Sequence, residues 1–331
     1  MTPLSLIFMG SPPVAVVILE ALLKAGHDIR AVVTQPDKPA GRGQKLSPPP
    51  VKSFAQEKGL KILQPTKVKS PEFLEELRSY KPQGIIAAAY GKILSQEMIN
   101  LAPLGILNVH FSLLPQYRGA SCVASAILND EKETGVTIMH IIEKLDAGPL
   151  LKQQKIKIEE TDTTGILEEK LAHLGSKLLL ETLDEMKEGK ITPHPQDESK
   201  ASFAPLIKKE MALIDWKQPT RKIFNQVRAY NPWPVAFTHV DKKRLKVYGA
   251  KLPLIPTLSP QGRGPGRERP RMRGRGEPGQ IINLDNEGIE IACGDGKILL
   301  TEIQLEGKNK MSAKDFIQGH QELIQTGKKL G

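Results

Sequence analysis

Apolar positions in the first half of the chain come in short unbroken runs, each followed by a stretch with helical spacing. Leu4–Met9 is the first run; Gly10 closes it, Ser11 is the expected helix N-cap, prolines fill the first turn, and the helix ends at Gly26. Ile29–Thr34 reads as a second strand, Val51–Lys58 as a helix stopped by Gly59, and Lys61–Gln64 as a short third strand. Ser70 and Pro71 open another helix, and Gly84–Ala89 and Gly105–Val109 are further buried strands with a helix from about Ser95 between them. Gly135–Ile142 adds a strand that runs into the loop Glu143–Gly148, and Thr163–Lys187 is a long amphipathic helix begun by Thr161 and Asp162. This alternation predicts an α/β fold: a Rossmann-like, doubly wound, mostly parallel sheet with helices on both faces.

The pattern changes in the second half. Residues 190–209 carry prolines and serines with no sustained period and read as a linker. Ala212–Tyr230 has helical spacing. Beyond it come strand-like runs at Phe237–Val240, Leu245–Tyr248, Gln280–Leu284, Gly288–Ala292 and Lys297–Gln304, which together suggest a small, OB-like β-barrel. The expected organisation is a catalytic domain over 1–189, a linker over 190–209 and a second domain over 210–331. The Arg/Gly/Pro tract 253–276 falls between two of the strands and has too little apolar surface to order itself, so it is expected to be a disordered insertion.

Composition narrows the class. The 331 residues are 39% hydrophobic and 25% charged, enough to build two cores. No stretch approaches the roughly 18 apolar residues of a membrane span, and the opening MTPLSLIFMG reads as a strand rather than a signal peptide. Cys122 and Cys293 match no metal spacing, which fits a reducing cytoplasm and no metal cofactor. The formal charge is +10; the tract 253–276, with six arginines and one glutamate, supplies half of it. Residues 208–250 add ten Lys/Arg against three Asp/Glu. A basic second half points to a polyanionic partner such as nucleic acid. Gly10-Ser-Pro-Pro lacks the second and third glycines of a dinucleotide fingerprint, so NAD is discounted.

Candidate chemistry gathers where strands end. In open parallel sheets ligands sit beyond the carboxyl ends of the strands, where Ala89–Gly91, Asn108 and His110 fall. Asn108 and His110 are two apart on one strand and so share a face. An amide donor beside an imidazole can stabilise an oxyanion and manage a proton.

The company these residues keep is more specific. Asn108-Val-His110 is followed by Ser112-Leu-Leu-Pro115 and Arg118-Gly119, then by Glu133–Thr137 (ETGVT) and Leu145–Gly148 (LDAG). Thr34–Gly43 (TQPDKPAGRG) precedes them; Ala204–Glu210 (APLIKKE), Ile214–Trp216 (IDW), Arg228–Pro234 (RAYNPWP) and Met311–Phe316 (MSAKDF) follow. In this order and over essentially the full chain the sequence resembles the folate-dependent formyltransferases, and more closely those acting on methionyl-tRNA. The resemblance implies a formyltransferase fold, 10-formyltetrahydrofolate as co-substrate, and the α-amino group of initiator methionyl-tRNA as acceptor. It implies Asn108, His110 and Asp146 as catalytic residues: Asn108 as oxyanion donor, His110 held by Asp146, with the proton work shared between those two in a way the pattern leaves open. It implies a folate site lined by Ser112, Leu113, Leu114 and Pro115, flanked by Ala89 and Tyr90, and a basic loop in which Lys38, Arg42 and Lys45 grip the tRNA. One catalytic site per chain makes a monomer sufficient. Two features depart from the family pattern: the tract 253–276, and Ser121-Cys122 where a proline often follows the Arg-Gly pair. Two other readings stay open, a formyltransferase or formyl-folate hydrolase acting on a small molecule, and an RNA-binding protein that kept only the fold.

Overall fold

In the first unit, strands that are apolar along their whole length become the centre of a sheet. The computed structural model describes residues 3–40, 45–253 and 276–331, the side chains of Ala40 and Lys45 apart. They form two units: Met1–Ala126 with Glu131–Glu160 and Ile166–Leu206, and Ile207–Gly331 with Ile127–Asp130 and Thr161–Gly165. The call on the insertion at 253–276 lies, for residues 254–275, outside the described residues.

The first unit runs β1 (Ser5–Gly10), α1 (Pro13–Lys24), β2 (Asp28–Val33), β3 (Lys38–Ala40), β4 (Lys45–Ser47), α2 (Pro50–Glu57), β5 (Ile62–Leu63), α3 (Pro71–Ser79) and β6 (Gly84–Ala88). It continues through α4 (Gln96–Ile99), β7 (Ile106–His110), α5 (Cys122–Leu128), β8 (Glu133–His140), β9 (Leu150–Lys157) and α6 (Thr164–Lys187). The seven-stranded sheet has the order β5-β2-β1-β6-β7-β8-β9. Pairs from β5 to β7 are parallel, while β7–β8 and β8–β9 are antiparallel. The chain thus winds outward from β1 to β5, returns to the other side of β1, and winds out again. Right-handed crossovers in the two directions put α1 and α3 on opposite faces, which is why β1 and β6 are buried on both sides. Winding reverses between β1 and β6, and a crevice opens there at the strands' carboxyl ends.

Which face each site residue takes follows from packing. Ile7, Met9, Ile85, Ala87 and Ile106 share a core with Phe73 and Leu77 of α3 and Met98 of α4. On the other face Gly175 of α6 lies so close to Val109 that a Cβ there would come within 2.7 Å of Val109 Cγ1. Alternation along β7 therefore sends Asn108 and His110 to the α3/α4 side, opposite α6.

Two local expectations change, and two elements appear that local pattern did not announce. Ser11 does not cap α1, whose N-cap is Pro12; its hydroxyl instead accepts the Gln35 N–H (3.1 Å) and pairs with the Thr34 hydroxyl (3.1 Å), tying the ends of β1 and β2 together. The half-polar β9 was not anticipated: it is an edge strand bearing Lys152, Lys155 and Lys157, the charged decoration that keeps an edge from pairing further. α5 was likewise not foreseen. The segment 190–206, expected as a linker, belongs to the first unit: His194 and Leu150 exchange backbone hydrogen bonds of 2.8 and 2.9 Å, and Phe203 bridges to Arg118.

The second unit carries α7 (Thr220–Ala229), β10 (Phe237–Val240), β11 (Lys243–Lys251), β12 (Ile281–Leu284), β13 (Ile289–Ala292), β14 (Lys297–Leu305), β15 (Met311–Ser312) and α8 (Ala313–Gly319). The expected helix over Ala212–Tyr230 is shorter, because Pro219 stops a helix from extending backward and Asp215 turns the chain by accepting the Lys217 N–H (3.0 Å). The sheet is antiparallel in the order β10-β11-β14-β13-β12, with β15 on β14. Register shifts at Val247/Gly249 and Gly249/Ala250 bend β11, and the expected barrel is realised as a curled half-barrel. Its core joins Trp216, Ile223, Phe224 and Val227 to Val247, Ile291, Ile303 and Phe316.

Candidate active site

β7 delivers His110 to the sheet's carboxyl edge almost fully buried, at 6% exposure, with half-buried Asn108 two residues before it. His110 Nε2 lies 3.1 Å from the carbonyl of Tyr117. A carbonyl can only accept, so in the neutral ring the proton sits on Nε2 and the lone pair on Nδ1. Asp146 Oδ2 lies 3.9 Å from that Nδ1. The same oxygen accepts the Gly119 N–H at 2.8 Å. Among the described residues the Asn108 carboxamide engages no partner, which leaves its N–H groups for a ligand.

Asp146 stands on the loop between β8 and β9 with φ +46°, in the left-handed region that a non-glycine residue enters at a cost of roughly 1–3 kcal/mol. The loop turns tightly enough that any Cβ at Gly148 would collide with the His140 carbonyl. Its outer residues do not hold it in place, since Ile142 is 39% and Leu145 57% exposed. Hydrogen bonds do. Gln196 Nε2 donates to the carbonyls of Asp146 and Gly148, both at 2.8 Å. Gln196 Oε1 accepts from Arg118 Nε at 3.0 Å and Nη2 at 2.7 Å. The Arg118 guanidinium is wholly buried; its Nη2 and Nη1 also donate to Glu198, at 3.0 and 3.1 Å. The Arg118 bonds, and after them those from Lys144, hold the Glu198 carboxyl down at about 2. Arg118 was visible in the sequence beside Gly119, but its partners come from the supposed linker, where no local signal marks them.

The loop after β7 is equally tied. Thr137 on β8 donates to the Ser112 carbonyl (2.7 Å) and accepts from the Leu114 N–H (3.2 Å) and from Gln153 Nε2 (2.8 Å). Ser112 is fully buried, and its hydroxyl donates to the Gln116 carbonyl at 2.7 Å. Leu114 is buried at 3% exposure, so of the four residues Ser112–Pro115 only Leu113 and Pro115 offer side-chain surface; the other two shape the loop. Ala89 is exposed with φ +47° just beyond β6, in an open groove of about 450 Å³ that Ser11, Gln35, Pro36 and Lys38 also line. Tyr90 turns the other way. Its ring joins the core of α3 and α4, burial pushes its phenol up to about 12, and only its carbonyl, held by Gln35 Nε2 at 2.8 Å, faces the groove side.

The basic loop is a hairpin of β3 on β4, pairing Lys38 with Ser47 and Ala40 with Lys45. Its base is fastened by Asp37, which takes Lys52 Nζ at 2.8 Å and Gln64 Nε2 at 2.8 Å. Lys38 is exposed and bonds Gln35 Oε1 at 2.6 Å; Arg42 and the side chain of Lys45 lie outside the described residues. Cys122 is buried, and that burial, with Asp146 nearby, pushes its thiol up to about 12. No helix among the described residues is long and apolar enough to cross a membrane.

A strand-end amide beside an imidazole and a carboxylate, on a Rossmann-like sheet of this order, has the groups needed to stabilise an oxyanion and to move a proton. The chain belongs to the formyltransferase family: the family model for formyl transferase matches residues 4–183, and that for the formyl transferase C-terminal domain matches residues 206–321. Methionyl-tRNA formyltransferases are among the relatives this chain matches over the full length. That of Ruminiclostridium cellulolyticum is 43% identical over 99% of this chain and 100% of its own, and that of Geobacillus thermodenitrificans 44% identical over 99% and 98%. Among solved structures, HypX from Aquifex aeolicus in complex with tetrahydrofolic acid shares the fold, with a TM-score of 0.63 at 19% identity over 96% of this chain and 47% of HypX.

Proposed function

We propose that this protein moves the formyl group of 10-formyltetrahydrofolate onto the α-amino group of initiator methionyl-tRNA, working as a cytoplasmic monomer. The observation that carries the catalytic reading is the His110 Nδ1–Asp146 pair, held from both sides beside the unengaged amide of Asn108. As the amine adds to the formyl carbon, Asn108 donates an N–H to the developing oxyanion. His110 takes the amine's proton at Nδ1 and returns it to the departing folate nitrogen. Asp146 does not need to take that proton; its charge stabilises the imidazolium while it exists. On this reading His110 is the proton carrier and Asp146 its counter-charge.

Leu113, Pro115 and Ala89 offer apolar surface suited to the flat ring system of a folate, while Ser112 and Leu114 keep the loop in shape. Lys38, Arg42 and Lys45 would reach the phosphates of the acceptor arm from a hairpin whose base is anchored, in a stretch of sequence that includes Gly41 and Gly43. Lys243, Arg244 and Lys246 on β11 offer further phosphate contacts on the second unit. The test supplies the purified protein with 10-formyltetrahydrofolate and either initiator methionyl-tRNA, elongator methionyl-tRNA or an amino-sugar nucleotide. Formylation of the initiator species is expected. Formylation of the small amine with none on tRNA overturns the proposal.

A further inference from the structure

We propose that Gln196 is a positioning residue that holds the Asp146 carboxylate at the imidazole of His110. The inference rests on reading Asp146 as the counter-charge of that histidine, and it adds a residue from a segment with no catalytic motif of its own.

The argument starts from a loop that should not stay put. Asp146 sits in left-handed backbone, flanked by Ile142–Leu145, all exposed. Packing therefore supplies little restraint, and strained backbone persists only where its surroundings over-determine it. Gln196 supplies the restraint by spending its whole hydrogen-bonding capacity at this one place. Both amide hydrogens go to loop carbonyls, Asp146 O and Gly148 O, and its oxygen takes two donors of Arg118.

The result is a closed ring of contacts built on three consecutive residues. The Tyr117 carbonyl orients the His110 ring, the Gly119 N–H holds the Asp146 carboxylate, and the Arg118 side chain between them grips Gln196, which holds the Asp146 backbone. Imidazole and carboxylate are thus referred to the same short piece of chain. Arg118 is in turn fixed by its backbone, donating to the Ser202 carbonyl and accepting from the Ala204 N–H, both at 2.8 Å. Among the described residues Glu198 reaches the loop only through an exposed side chain. It neutralises Arg118 and reaches Lys144 at 2.8 Å, but as a carboxylate it offers the loop carbonyls no donor.

The alternative is that Gln196 merely satisfies a buried guanidinium. Two substitutions separate the cases. Gln196→Met removes every hydrogen bond at near-constant volume. Gln196→Glu keeps an acceptor for Arg118 but sets a carboxylate against two carbonyls. Positioning predicts that both lower kcat by about 10–100-fold, the scale of a misplacement near 1 Å, with KM for donor and tRNA kept within about threefold. It also predicts that either substitution adds little to Asp146→Asn, since the group being positioned is gone.

The measurements are kcat, both KM values and Tm for Gln196→Met, Gln196→Glu, Asp146→Asn and the double variants. Near-parental kcat in Gln196→Glu with a loss in Gln196→Met makes the residue a cap for Arg118 and overturns the proposal. So does full additivity with Asp146→Asn, or loss of the fold in both single variants. A fully active Asp146→Asn is a separate outcome: it removes the counter-charge reading itself.

Discussion

Replacing Asp146 by Asn isolates one quantity, the charge beside His110. The asparagine oxygen can still accept the Gly119 N–H that now holds Oδ2 at 2.8 Å, so the loop keeps its anchor while the carboxylate charge disappears. At the 3.9 Å separation of Nδ1 and Oδ2, opposite unit charges attract by about 4 kcal/mol at an effective dielectric near 20. The histidine side chain is 7% and the aspartate 17% exposed, so solvent removes part of this. Keeping half leaves about 2 kcal/mol, which is roughly 30-fold in rate; keeping all of it gives nearly 1,000-fold. The attraction exists only while the imidazole is protonated, in the step where it carries the amine's proton. The loss should therefore fall on kcat, with KM for donor and tRNA little changed. Single-turnover formyl transfer to initiator methionyl-tRNA measures it. A kcat within about threefold of the parent refutes the reasoning, because the charge would then be doing nothing at the barrier.

Asn108→Ala removes the unengaged amide and is expected to lower kcat by about 10²–10³-fold in the same assay while tRNA binding, followed by filter retention, persists. Thr137→Val strips the buried hydroxyl that serves the Ser112 carbonyl, the Leu114 N–H and Gln153, and should lower unfolding free energy by about 2–3 kcal/mol in urea titrations. Glu198 titrates at about 2 in the folded chain against an ordinary 4.5, so its ion-pair contribution is present above pH 4.5 and is lost as the pH falls toward 2. The Tm gap between the parent and Glu198→Gln should accordingly be largest near neutrality, narrow below about pH 4.5 and close near pH 2.

Much of the first unit was written in local pattern. Runs such as Leu4–Met9 and Gly84–Ala89 lack polar alternation, and a segment apolar on both faces has few places to go but the middle of a covered sheet. The spacing of Asn108 and His110 put them on one face whatever surrounded them, because strand periodicity is a property of the backbone. Where local pattern was ambiguous, the reading slipped. β9 has the polarity of a loop and becomes a strand because β8 offers it an edge. Ser11 has the residue type of a cap and is drawn instead to Gln35 by the adjacency of β1 and β2. Tyr90 stands at a strand end yet turns into the core of α3 and α4, a choice made by the space those helices leave.

The sequence by itself determined most of the elements, the doubly wound character of the sheet and the presence of an amide, an imidazole and a carboxylate in motifs of a known family. Tertiary structure decided how they act on one another. It set which nitrogen of His110 carries the lone pair, through a carbonyl seven residues away, and it set the place of Asp146 through Gln196, which is 50 residues beyond it and 78 beyond Arg118. A glutamine in a stretch without periodicity carries no local mark of such a duty. Its role exists only once the chain has folded back and brought a donor amide between a buried guanidinium and two loop carbonyls.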